Sequence, residues 1–157
     1  MIKKKVYLDT NVIIHRILKD DLSQDYDQIW YDLKKYYDII IPQMIIGETL
    51  TIILTRSKDK DKDVKVFTDL LTNEIKFETN LPSLNENVLR TALDIKRKEE
   101  YIDYCDAILV AHAMNDGNDC WVYTNDKNVQ DSQHVFDMLR ELKKDKDIHI
   151  KIVQEIP

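Results

Sequence analysis

Apolar and polar positions along this chain switch between two periods. Short apolar runs at Val6-Tyr7-Leu8, Ile39-Ile40-Ile41 and Trp121-Val122-Tyr123 are rich in β-branched and aromatic residues and read as buried strands. Between them, apolar residues recur every three or four positions, the spacing of a helix face. Strands are therefore predicted at residues 6–8, 38–42, 75–78, 120–124 and 148–153. Helices are predicted at 12–18, 23–37, 43–56, 64–73, 85–98, 102–116 and 135–144. Thr10 or Asn11 can cap the first helix, Pro42 suits the first turn of the third, and Gly117 suits a helix C-terminus. Residues 57–63 alternate Lys and Asp after Ser57 and read as a solvated connection between helices. Strands that alternate with helices imply an α/β domain of three layers, a mostly parallel sheet covered on both faces.

Against this pattern, four acids stand where an apolar residue or a strand end is expected. Asp9 directly follows the first strand, and Asp126 follows the fourth in Tyr123-Thr124-Asn125-Asp126. Glu48 lies on a helix face with Met44, Ile45 and Ile52, and Asp106 lies among Ile102, Leu109, Val110 and Ala113. In open parallel sheets, ligands collect beyond the carboxyl ends of the strands. An ionised carboxylate in apolar surroundings is costly unless it is paired or bound to a cation. A salt bridge would satisfy any one of these acids. Four that converge would repel one another, and a divalent cation is the simplest way to hold them together. A set of oxygen ligands favours Mg2+ or Mn2+ over zinc.

Composition narrows the alternatives. The chain has 157 residues, enough for one domain with a sizeable core. Two glycines leave no glycine-rich phosphate loop, and Cys105 and Cys120 lack metal-type spacing. These cysteines read as reduced, small apolar residues, and no leader or membrane-length apolar run stands out, so a cytoplasmic protein is expected. A net charge of −6 argues against gripping nucleic acid by overall electrostatics, although a local basic rim is compatible with it.

Leu8-Asp9-Thr10-Asn11, Gly47-Glu48, the stretch from Asp106 to Ala113 and Tyr123-Thr124-Asn125-Asp126 together resemble the PIN domain family. In size and segment order the whole chain is similar to its single-domain VapC-type toxin ribonucleases. The resemblance implies one PIN-like domain over 1–157, a parallel five-stranded sheet, a Mg2+- or Mn2+-dependent endoribonuclease acting on RNA, a frequent homodimer and a protein antitoxin. It implies an acidic quartet at Asp9, Glu48, Asp106 and Asp126, acting as both catalytic and metal-binding residues. It also implies support from Asn11 to the first acid and from Thr124 before the last. Asp103, one turn before Asp106, is either a further supporting acid or a helix cap.

Two other readings compete. A phospho-receiver would place paired acids early and a lysine after a late strand, and would leave Glu48 without a role. A non-catalytic PIN-like RNA-binding module would not need the quartet. Candidate RNA contacts are Arg56, Lys58, Lys60 and Lys62, or Arg97 and Lys98. His15 and His112 suit packing or surface roles. Trp30, Tyr31, Tyr36 and Tyr37 are either core or the aromatic anchors of a partner groove.

Overall fold

Four parallel strands meet in the order β2-β1-β3-β4. The computed structural model describes residues 3–19, 23–75 and 82–154. The central strand β1 (Lys4–Leu8) pairs with β2 (Tyr37–Ile40) on one side and β3 (Cys120–Tyr123) on the other. Strand β4 (Ile150–Val153) pairs with β3 at the far edge. Val6, Tyr7 and Leu8 are all buried in succession, because helices cover both faces and neither side of the strand meets water. The β1–β3 register sets Leu8 opposite Tyr123, so the next residues, Asp9 and Thr124, leave the sheet side by side.

The connecting helices are α1 (Thr10–Leu18), α2 (Ser23–Tyr36), α3 (Gln43–Arg56), α4 (Lys60–Asp69), α5 (Glu86–Lys98), α6 (Tyr104–Asn115), α7 (Lys127–Gln130) and α8 (Gln133–Lys146). Helix α6 is buried at every residue from Asp106 to Met114, as an all-round apolar helix must be. It packs on α5, α3, β1 and β3, and Gly117, at a φ of 82°, turns the chain out of its last turn. Among the described residues, no helix is long and apolar enough to cross a membrane.

Several expectations are corrected. The described residues hold four strands rather than five; the strand expected at 75–78 lies outside them except for Ile75, which is buried in a bend. The charged run is not all connection: α4 begins at Lys60 inside it. Asp59 accepts a hydrogen bond from Lys62 N, and Asp61 and Asp63 place negative charge at the positive end of the helix dipole. Beyond Asp69 that helix widens into a π turn over Leu70–Glu74. Neither Thr10 nor Asn11 is the cap of α1; Asp9 occupies that position, yet its carboxylate makes no capping bond. The short helix α7 after Asp126 is not marked by any apolar period, since four residues are too few to show one.

The aromatic group divides. Trp30 is core, with its Nε1–H donating to Glu74 Oε2 at 2.6 Å. Tyr37 starts β2 and packs against Trp121 with ring centroids 5.2 Å apart. Tyr31 and Tyr36 are exposed.

Candidate metal centre

Asp9 leaves β1 and is almost fully buried. Instead of capping α1, its Oδ2 accepts a hydrogen bond from the Thr124 hydroxyl at 3.0 Å. The same Thr124 oxygen accepts from the Asp126 N–H at 3.1 Å, so one fully buried side chain ties the ends of β1 and β3 together. Gln130 Nε2 braces this corner by donating to the Thr124 carbonyl at 2.8 Å. On the other side, the Thr10 hydroxyl donates to Glu48 Oε2, which brings the middle of α3 over the end of β1.

Helix α6 supplies the third wall. Asp103 caps it, with Oδ1 accepting from Asp106 N at 3.0 Å. This turn points the buried Asp106 towards Asp9 and Asp126, and the Asp106 carboxyl hydrogen-bonds to that of Asp126. Asp126 Oδ1 in turn accepts from Asn128 N at 2.6 Å and caps α7. Oxygens of Glu48 and Asp103 and the Cys105 sulfur all lie within 4.8 Å of one another.

The electrostatics follow from this crowding. Burial, then the charge of Asp9, then the bond to Asp126 push the Asp106 carboxyl far above the usual carboxylate range. Asp9 is also raised, by burial first and by the Glu48 and Asp103 charges, although the Thr124 hydroxyl pulls the other way. Burial and the neighbouring Glu48, Asp103 and Asp106 charges keep the Cys105 thiol protonated. None of the ion pairs among the described residues supplies a cation to these acids.

Asp116 shows the contrast. Burial would raise its pKa too, but Lys5 Nζ at 2.8 Å, the Tyr7 hydroxyl at 2.5 Å and Asn118 bind it and pull it below the usual range. Where this fold buries an acid for structure, it gives it a lysine. Among the described residues the cluster at the sheet end has hydroxyls, the protonated Cys105 thiol and other acids around each carboxylate, and its carboxylate oxygens fit a divalent cation.

Of the four acids singled out from the sequence, Asp9 neighbours Glu48 and Asp106, and Asp106 neighbours Asp126, while Asp103 lies beside Glu48 and Thr124 bonds to both Asp9 and Asp126. Asn11 lies exposed on the first turn of α1, and the bonds to the acids come from Thr10 and Thr124 instead. Thr10 was legible only as a helix cap, although a hydroxyl next to a strand-end acid is a usable signal. Cys105 was not legible as a neighbour of the acids, because an isolated cysteine carries no spacing. His112 is core: burial lowers its pKa to about 4, and its Nε2 meets no hydrogen-bond partner among the described residues. His15 is half-buried on α1.

The PIN domain family model matches residues 6–133, and the chain belongs to that family. Among solved structures, FitAcB from Neisseria gonorrhoeae aligns over 93% of this chain and 96% of its own, with 18% identity and a TM-score of 0.59. VapBC2 from Rickettsia felis, bound to a DNA fragment from their promoter, aligns over 95% and 98%, with 16% identity and a TM-score of 0.61. FitAB bound to an IR36 DNA fragment aligns over 94% of each chain, with 18% identity and a TM-score of 0.57. At such identities the likeness is one of fold. No match is found among curated proteins.

Proposed function

We propose that this protein is a Mg2+- or Mn2+-dependent endoribonuclease and the toxin of a toxin–antitoxin pair. The observation that carries the reading is the approach of Asp9 to Glu48 and Asp106 and of Asp106 to Asp126 at the end of the sheet, with no lysine or arginine in ion-pair contact with them among the described residues. Carboxylates that repel one another in this way are stabilised by a cation, and all-oxygen ligands suit Mg2+ or Mn2+.

Asp9, Asp106 and Asp126 would hold the ion, with Glu48 binding directly or through water. When bound, the ion neutralises charge growing on a phosphodiester and lowers the pKa of water. The chain's own part is positioning. Thr124 fixes Asp9, Thr10 fixes Glu48, and the Asp103 cap fixes the first turn of α6 so that Asp106 faces inward. Burial and the Asp9 charge favour the protonated form of Asp106 in the metal-free protein, and a cation held there would favour the ionised form instead.

A partner protein is supported by the names of FitAcB, VapBC2 and FitAB, of which the VapBC2 and FitAB structures contain DNA. For this chain, with its net charge of −6, contact with DNA would come through such a partner. A homodimer and a cytoplasmic location belong to the same reading. The test is incubation of labelled RNA with the wild type in Mn2+, Mg2+ or EDTA. Cleavage in either metal and none in EDTA supports it; intact RNA in all three, with the protein folded, removes it.

A further inference from the structure

Two large aromatic side chains stand in the open beside the acidic centre. Tyr101 is 78% exposed and Tyr104 54%, and they flank Asp103 in the α5–α6 connection. This lip is braced. Ile102 is fully buried, and Lys96 Nζ donates to the carbonyl of Glu100 at 2.7 Å and to that of Ile102. Asn128 Nδ2 holds the Tyr101 carbonyl at 3.2 Å, while the same residue's N–H holds Asp126. The backbone that carries Tyr101 is thus joined to an acid of the centre through one side chain.

Basic residues stand on the two helices that flank this lip. Lys96, Arg97 and Lys98 form the last turn of α5, Lys127 opens α7, and the Lys96 ammonium lies 5.6 Å from the centre of the Tyr104 ring. Exposed rings beside the acids, with basic residues on the flanking helices, make the kind of surface that single-stranded nucleic acid uses. Bases stack on aromatic faces while cations follow the phosphates. An A-form duplex keeps its bases stacked inside and offers no free face.

We propose that Tyr101 and Tyr104 are a stacking platform for unpaired RNA bases next to the phosphodiester presented to the acidic centre, with Lys96, Arg97, Lys98 and Lys127 meeting the backbone. The choice of RNA rests on the nuclease reading above; the platform itself is read out without cleavage.

The experiment measures fluorescence anisotropy of a labelled 12-nucleotide single-stranded RNA with full-length Asp106→Asn protein, which leaves the RNA intact. Tyr101→Ala and Tyr104→Ala should each weaken binding about tenfold or more, and the Phe variants should stay within about twofold of the parent. A duplex of the same length should bind more weakly and ignore both alanine changes. Unaltered protein irradiated with a 4-thiouridine oligonucleotide should crosslink within residues 99–104. Alanine variants that bind like the parent, equal binding of duplex, or crosslinks confined to other surfaces would overturn the platform. RNA left intact by wild type in Mn2+ with tyrosine-dependent binding preserved would remove the nuclease reading alone.

Discussion

The Thr124 hydroxyl donates to Asp9 Oδ2 at 3.0 Å while its oxygen receives the Asp126 N–H at 3.1 Å. One buried threonine therefore sets the separation of two acids that lie more than a hundred residues apart in the chain. The relationship follows from the β1–β3 register, which brings Leu8 and Tyr123 level and hands the next residue of each strand to the site.

Thr124→Val keeps the shape of this residue and removes both bonds. It takes one donor from the buried Asp9 carboxylate and the acceptor from the part-buried Asp126 N–H, which costs about 1–3 kcal/mol. Urea unfolding should show that loss, and RNA cleavage should fall with it. Thr124→Ser, which retains the hydroxyl, should recover most of the cleavage rate.

Asp106→Asn should abolish cleavage and stabilise the metal-free protein at alkaline pH. The sign follows from the raised pKa values of Asp106 and Asp9. The folded protein holds protons that the unfolded chain has already released. Their contribution to stability is full below the ordinary carboxylate range and is lost as the pH rises through the raised values. Melting curves in EDTA between about pH 5 and pH 9 should therefore fall for wild type and flatten for the variant. Saturating Mn2+ should restore the wild type at the upper end, because the ion binds only the folded state.

Trp30→Phe leaves Glu74 without its indole donor and should cost about 1–2 kcal/mol in denaturant unfolding. Tyr31→Ala and Tyr36→Ala, both at exposed positions, should stay within about 0.5 kcal/mol of wild type. If these tyrosines anchor a partner, co-purification with the product of an adjacent small reading frame should weaken in Tyr31→Ala and not in a charge-neutral surface control.

Much of this arrangement was visible in the chain itself, because burial leaves periodic marks. Asp106 stands out in the sequence as an acid inside a face that is otherwise apolar, and the structure buries that whole face. What stayed hidden are relations that leave no period. The alternating charges from Lys58 to Asp63 look solvated whether or not Asp59 caps a helix there. Trp30 and Tyr31 are equally aromatic, and only packing decides which is core. Thr10 serves Glu48 across a helix–helix contact that no local spacing encodes.

Direct binding of Mn2+ tests the central claim most cleanly. Free Mn2+ gives a sharp electron paramagnetic resonance signal that is lost on coordination, so titration of the metal-free protein counts sites without any substrate. Wild type should quench the signal saturably, and Asp106→Asn and Asp126→Ala, shown to be folded by circular dichroism, should lose most of that quenching. An undiminished signal with wild type, or equal quenching by the two variants, would mean that the acids gathered around Asp9 are not a metal centre.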